Sequence, residues 1–308
     1  MVTIEEIEIS GDYQVYDITV AEDESYEACG VFSHNSSSPN LQVIPTRTEL
    51  GKQIRGLFLP DEGQTWWKKD YSQIEYRLMV HDAAGLNLPG AKRIVEIYMN
   101  DPRADFHQAV ADMTGLTRSR AKTINFGLAY GEGVDKLAVQ LGLSKDDAER
   151  LLEEYHRRAP FMRPLSKGAS AQAASKGIIQ TLFGRRRRFE AWEITKWNKD
   201  GTKEQKIFPH RVPGSRRAFT HAALNARIQG SAADIMKKAM VDVWESGVCD
   251  ILGVPQLTVH DELDGSKPKG AKAKKALDEV TAIMERTVKL RVPLLVDSGE
   301  GINWGKIE

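Results

Sequence analysis

Apolar and polar residues alternate at the start of the chain. Residues 2–9 read Val-Thr-Ile-Glu-Glu-Ile-Glu-Ile and residues 15–20 read Val-Tyr-Asp-Ile-Thr-Val. Both runs are short, β-branched and close to period two, and Gly11-Asp12 lies between them, so they predict two strands. A polar stretch with Ser36, Ser37, Ser38 and Pro39 follows, and mixed helical and strand patterns begin near Leu41. Residues 64–68, Gln-Thr-Trp-Trp-Lys, have strand character. Residues 92–177 are mostly helical in their spacing; Ser144 ahead of Lys-Asp-Asp-Ala-Glu is an N-cap followed by first-turn acids. Further helices are expected over 234–243 and 271–288. Residues 256–262 predict a short apolar strand that ends in polar residues.

Composition narrows the class. The 308 residues are 41% hydrophobic and 28% charged, enough for a sizeable core. Two cysteines, Cys29 and Cys249, are too few for a disulfide framework and fit a reducing compartment. No apolar run approaches the roughly 20 residues of a membrane span. Acids stand where a signal peptide needs basic residues, so nothing points to export, and the expectation is a cytoplasmic protein with no membrane partner.

The formal net charge of zero hides an asymmetry. Residues 1–35 hold nine acids and no Lys or Arg, whereas residues 36–308 carry 43 basic groups against 34 acidic ones, a net +9. A positive body favours a polyanionic partner through counterion release. The split also marks the first 35 residues as a separate unit. Residues 184–217 hold eleven Lys or Arg against four acids, with Pro and Gly among them, and read as a basic surface insertion.

Three segments carry candidate chemistry. Asp70-Tyr-Ser-Gln-Ile-Glu75 follows one expected strand, and Asp261 ends the other in Leu257-Thr-Val-His260-Asp261-Glu262. Two carboxylates brought together from distant strands repel unless divalent cations compensate. Two-metal phosphoryl transfer needs such a pair, with ions about 3.5–4 Å apart. Between them Arg118, Lys122, Phe126 and Tyr130 recur at i, i+4 and share one helix face, which ends at Gly131. That face offers two cations for a triphosphate and an aromatic ring for a base; an amphipathic helix with solvated cations and core aromatics has the same spacing.

Together these segments resemble motifs A, B and C of family A DNA polymerases, the bacterial DNA polymerase I type, and the resemblance spans residues 36–308. The segment Ser37-Ser-Pro-Asn-Leu-Gln-Val-Ile-Pro-Thr-Arg47, the pair Phe106-His107, and Asn225 with Gln229 match further family segments, as does Asn303-Trp304. The resemblance implies an α+β fold: a right-hand palm built on an antiparallel sheet, over residues 36–85 and 219–308, and helical fingers over 86–218. It implies template-directed DNA synthesis with two Mg²⁺ held by Asp70, Asp261 and the backbone carbonyl of Tyr71. Arg118, Lys122 and His107 would bind the incoming dNTP, with Lys122 also placed to protonate the leaving group. Phe126 would stack on the nucleotide, Tyr130 would move aside for the templating base, and Glu75 would exclude a ribose 2′-hydroxyl. Arg47, Asn225, Gln229, His260 and Glu262 would contact the primer–template. The stretch from Trp192 to Pro213 is longer than the family norm, and no role is assigned to it. Rival readings are a related single-subunit RNA polymerase, which Glu75 and Gln73 oppose, and a non-catalytic DNA-binding subunit, which the presence of both aspartates opposes.

The first 35 residues end in Gly30-Val-Phe-Ser-His34-Asn35 before Ser36. An Asn side-chain amide can attack its own carbonyl and cleave the chain, a neighbouring His can assist proton transfer, and a following Ser can accept an acyl group. The segment resembles the C-terminal blocks of an intein of the Hint type, which implies a split-intein fragment with His34, Asn35 and Ser36 in those roles. Glu24 departs from that pattern, since many inteins carry histidine there. The implied partner is an N-terminal polymerase fragment fused to the other intein piece, and that fragment is expected to carry the thumb and the start of the palm. The chain alone is accordingly expected to extend primers poorly or not at all.

Overall fold

The computed structural model describes residues 7–9, 16–18, 25–28, 31–34, 44–45, 48–108, 111, 117–129, 133–197 and 203–307. Near the start, β1 (Ile7–Ile9) pairs antiparallel with β2 (Tyr16–Ile18), and β3 (Ser25–Ala28) pairs antiparallel with β4 (Val31–His34). The rest of the described chain mixes helices with antiparallel strands and divides into two compact units. One comprises residues 1–74, 235–289 and 294–308, the other residues 75–234 and 290–293.

The first unit is built on an antiparallel sheet whose centre is β5 (Thr65–Tyr71). Its other strands are β11 (Leu257–Val259), β12 (Glu262–Lys267), β13 (Val296–Asn303) and β14 (Lys306–Ile307), after β6 to β10 of the second unit. The order is β11-β12-β5-β13-β14. Period-two geometry sorts the β5 side chains: Trp66, Lys68 and Asp70 face one way, Trp67, Lys69 and Tyr71 the other. On the second face the Tyr71 hydroxyl donates to the Met284 carbonyl at 2.8 Å. Met284 belongs to the helix Ala271–Arg286, which buries Leu277, Val280 and Ile283. Gly265 lies opposite Trp67, where a Cβ would sit 3.1 Å from the indole, so the ring needs a glycine beneath it.

The first face is closed at one end by a cluster of Trp66, Leu257, Val259 and Trp304, with Phe58 and Ile44 against it. The Phe58 ring meets Trp304 edge-on at 5.1 Å, and the Arg55 guanidinium lies 4.0 Å from the Trp304 ring centroid. Residues 256–262 are not a single strand. β11 stops at Val259, His260 adopts a left-handed φ of 57°, and β12 returns from Glu262. Asp261 therefore sits in a tight reversal, which the apolar run before it did not disclose.

The second unit is mostly helical: Ala91–Asn100, Arg118–Ala129, Val134–Leu141, Lys145–Arg158 and Met162–Lys176 lead into the N-terminal part of Ala223–Glu245. Ser144 caps its helix as expected, its Oγ accepting from the Asp147 amide at 3.1 Å. Tyr76, Phe106 and Phe161 stack through its core, with centroids 4.7 and 6.5 Å apart. Residues 178–217 form β6 (Ile178–Gln180), β7 (Arg186–Arg188), β8 (Trp192–Trp197), β9 (Lys203–Phe208) and β10 (Arg216–Arg217). β6 and β7 make a hairpin, and β10-β8-β9 a separate antiparallel sheet. Among the described residues no helix is long and apolar enough to cross a membrane.

One ion pair fastens the helices of this unit. Arg227 donates through Nε and Nη2 to the two Asp82 oxygens, at 2.5 and 2.8 Å, and through Nη1 to the Gln180 carbonyl at 2.9 Å. Removing the guanidinium strands a largely buried carboxylate, which costs roughly 3–5 kcal/mol. Arg227→Met is thus expected to lower the stability read by chemical denaturation by about that amount. Pairing it with Asp82→Leu should return most of the loss, and a near-neutral single variant would contradict the assignment.

Candidate active site

The carboxylates come together because of strand register. β5 and β12 pair with Asp70 opposite Glu262 and Lys68 opposite Asp264. Directly opposed residues share a face, so Lys68, Asp70, Glu262 and Asp264 all stand on one side of the sheet. Asp261 is fixed alongside, its backbone carbonyl accepting from the Tyr71 amide at 3.1 Å.

Crowding sets the electrostatics. Burial and then the neighbouring Asp261 carboxylate push the Asp70 pKa up to about 7, against the pull of Lys68. Burial likewise raises Asp261. Burial also works on Glu262, but there the ion pair with Lys68 prevails and holds the carboxyl below its ordinary range. Lys68 hydrogen-bonds Glu262 and stands 3.6 Å from Asp70 Oδ2. Its own affinity for the proton is raised, because Glu262 and Asp70 outweigh its desolvation.

Two indoles complete the cluster. Trp304 Nε1 donates to Glu262 Oε1 at 2.9 Å, and Trp66 Nε1 donates to Asp264 Oδ1 at 3.1 Å. Asp264 is fully buried, and burial followed by the Glu262 charge pushes its pKa up to about 9. It is a neutral acid at pH 7. The sequence motifs single out neither Lys68 nor Asp264, although each lies two residues from Asp70 or Glu262 and so had to share its face.

Among the described residues no group of three or more His, Cys, Asp or Glu side chains stands ready to hold a metal ion. The donor set of Asp70, Asp261 and the Tyr71 carbonyl nevertheless suits Mg²⁺. That ion is commonly held by one or two carboxylates and takes its remaining ligands from substrate phosphates and water. Two partly buried, mutually repelling carboxylates are also the arrangement that a divalent cation relieves.

The second unit carries the cationic helix Arg118–Ala129. Arg118 Nε donates to Asp105 Oδ2 at 2.6 Å, while Asp105 Oδ1 accepts from the His107 and Gln108 amides at 2.8 and 3.1 Å. Lys122 is exposed one turn along. His107 is only 3% exposed; its Nδ1 lies 2.9 Å from the Asn125 amide nitrogen, and Tyr76 meets the ring edge-on at 4.8 Å. Burial, aided by the Lys122 and Arg118 charges, lowers its pKa to about 4, so the imidazole is neutral at pH 7 and accepts from Asn125. Glu75 is half-buried in the first turn of Ile74–Gly85. Asn225 and the exposed Gln229 lie one turn apart on Ala223–Glu245, and His260 is exposed at the β11–β12 reversal. Arg47, Tyr130, Asn35 and Ser36 lie outside the described residues, as do the side chains of His34 and Phe126.

A central antiparallel sheet with paired aspartates at adjacent strand ends, in a chain that also carries a cationic helix, is the layout of a nucleotidyl-transfer domain. Residues 24–306 match DNA polymerase family A, and the chain belongs to that family. It is 37% identical over 276 residues to DNA polymerase I of Pseudomonas aeruginosa, covering 88% of this chain and 28% of that protein. It is 34% identical over 312 residues to the DNA-directed DNA polymerase of Pseudomonas phage M6, covering 88% of this chain and 43% of that one. A solved structure described as the POL domain of Pol1 from M. smegmatis in complex with DNA primer-template and dNTP is similar with a TM-score of 0.71 at 34% identity. The likeness covers 90% of this chain and 46% of that one. The chain thus spans less than half the length of these relatives.

Asp264 offers a test of the carboxylate cluster. Its folded-state pKa lies above its unfolded value of about 3.9. The stability that its proton contributes is therefore complete below pH 4 and lost as pH rises toward 9. Asp264→Asn keeps an acceptor for Trp66 and has no proton to lose. The variant should match the parent in thermal unfolding near pH 4 and melt progressively higher than it up to pH 9. A pH-independent difference would rule out the buried neutral acid.

Proposed function

We propose that this chain provides the catalytic aspartates and the nucleotide-binding helix of a DNA-templated DNA polymerase, acting together with an N-terminal polymerase fragment. The observation that carries this reading is the convergence of Asp70 and Asp261 at adjacent strand ends, with burial raising both and the Asp261 charge raising Asp70 further. Such a pair is costly for stability and useful for holding divalent cations.

In this reading Asp70, Asp261 and the Tyr71 carbonyl hold two Mg²⁺. When bound, the ions lower the pKa of the primer 3′-hydroxyl and neutralise charge on the departing pyrophosphate. Arg118 and Lys122 orient the triphosphate, and Lys122 supplies a proton to the leaving group. His107 is buried in this structure, so a role for it in nucleotide binding requires its ring to reach the phosphates from within that packing. Phe126 stacks on the incoming base, Tyr130 yields to the templating base, and Glu75 fills the space that a 2′-hydroxyl would need. Arg47, Asn225, Gln229 and His260 contact the primer–template. Glu262, held by Trp304 and Lys68, contacts the primer–template beside them. The division into a palm over 36–85 and 219–308 and fingers over 86–218 belongs to the same proposal. So does a location in the cytoplasm of a bacterial or phage-infected cell.

The finer proposal for residues 1–35 is that they form the C-terminal piece of a split intein. His34 would assist cyclisation of Asn35, and Ser36 would accept the acyl group that joins the two polymerase fragments. The support is the His34-Asn35-Ser36 junction and the acidic charge of the segment, which suits a basic partner piece.

Primer extension with the N-terminal fragment added tests the catalytic reading. Asp70→Ala or Asp261→Ala should each abolish extension, by about a thousandfold or more, since each removes one of the two proposed carboxylate ligands. In the same assay Glu75→Ala should raise the ratio of ribonucleotide to deoxynucleotide incorporated. Extension that survives loss of either aspartate would exclude the proposed centre. Splicing is read separately by mass spectrometry of the mixed fragments: Ser36→Ala should block ligation and Asn35→Ala should block release of the intein piece. A normal spliced product from either variant would discard that role.

A further inference from the structure

The sheet of β8, β9 and β10 occupies the stretch to which no function was given. Its register opposes Trp192 to Phe208, Ile194 to Lys206, and Arg217 to Trp192. Opposed residues share a face, so Trp192, Ile194, Lys196, Lys206, Phe208 and Arg217 stand together. The Arg217 and Arg211 guanidinium carbons lie 4.6 and 5.4 Å from the Trp192 ring centroid. Cations and aromatic rings thus alternate across one small surface.

On the opposite face the Glu193 charge is compensated. There Glu193 is buried and accepts from Gln205 at 2.5 Å and from Arg216 at 2.7 Å. Its charge is cancelled away from the aromatic face. On that face Glu204 pairs with Lys206 at 3.3 Å. Lys196 and Arg211 form no ion pair among the described residues, and both are exposed. Phe208 and Trp192 are only partly covered, and the residues of β9 from Glu204 to Ile207 are exposed. A face built only for packing would not combine partly uncovered rings with exposed cations that outnumber its acids.

We propose that this face of the β8–β9–β10 sheet binds single-stranded DNA, such as a template strand not yet copied. Lys196, Lys206 and Arg211 take the phosphates, and Phe208 with the edge of Trp192 stacks the bases. Single strands fit better than duplex because stacking needs bases that are free on at least one side, whereas a duplex offers only phosphates to such a surface. The strand β7, next in sequence, also exposes Arg186, Arg187 and Arg188. The proposal rests on the polymerase reading only in naming the polyanion as DNA.

The test is fluorescence anisotropy with the full chain, in EDTA and without nucleotide. The probes are a labelled 20-residue oligothymidylate and a labelled 20-base-pair duplex. The parent should prefer the single strand. The combined variant K196A, K206A and R211A should bind it about tenfold or more weakly, with the slope of log affinity against log salt reduced by about 2, as three lost phosphate contacts require. F208A should weaken binding by about fivefold to a hundredfold with the slope unchanged, as expected for a lost stacking partner. All four side chains are exposed or partly so, and unchanged circular dichroism and melting would show that the fold is kept. Parent-like affinity and slope in the combined variant would overturn the proposal, and so would an equal loss on duplex and single strand. Because the assay has no metal or nucleotide, its failure leaves the aspartate site untouched, just as inactive aspartate variants would leave this surface untouched.

Discussion

The pairing of β5 with β12 is the constraint on which the first unit turns. A register that sets Asp70 against Glu262 and Lys68 against Asp264 puts four ionisable side chains on one face. Slipping one strand by one residue would send its pair to the other side, where the Tyr71–Met284 contact and the helix Ala271–Arg286 now lie, and would break up the group of four. Two devices hold the register. Gly265 leaves room for Trp67, where a Cβ would sit 3.1 Å from the indole, and the Trp66 and Trp304 indoles each donate a hydrogen bond to a carboxyl group. The same tryptophans are half of the apolar cluster, so core packing and charge placement are one arrangement.

The four acids of this region have been given distinct states by their surroundings. Glu262 is held in its ionised form between an ammonium and an indole, burial favours the neutral form of Asp264, and Asp70 and Asp261 are both raised above the ordinary carboxylate range, Asp70 to about 7. A site organised in this way has its geometry before any substrate is present, and preorganisation of that kind is what two-metal phosphoryl transfer exploits. In the second unit a comparable economy appears in the chain from Arg118 through Asp105 to the amides of His107 and Gln108, which anchors the start of the cationic helix.

Much of this was legible in the residues. The Ser144 cap, the helices over 234–243 and 271–288, the strand before Asp70 and the family motifs each carry local chemistry that a sequence displays. Other parts were hidden for identifiable reasons. The reversal at His260 and Asp261 depends on a left-handed backbone at a non-glycine residue, for which residue type gives little signal. The basic stretch over 184–217 reads as a surface insertion because Pro, Gly and charge stand out in it, and its strands are legible only once cross-strand pairing is seen. Burial of His107 is a tertiary outcome of Tyr76 and Asn125 closing on it, and no spacing announces that. Lys68 and Asp264 were visible in principle, since period two alone places them beside Asp70 and Glu262.

Lys68 alters how the aspartate face should be thought of. With its ammonium against Glu262 and 3.6 Å from Asp70, the sheet brings its own counter-ion, tethered by covalent bonds and therefore never diluted away. A cation arriving from solution meets an occupied seat rather than a bare negative bowl. Its binding is an exchange in which a lysine must be pushed aside or tolerated, so the apparent affinity of the face is set as much by where that side chain can go as by the carboxylates themselves.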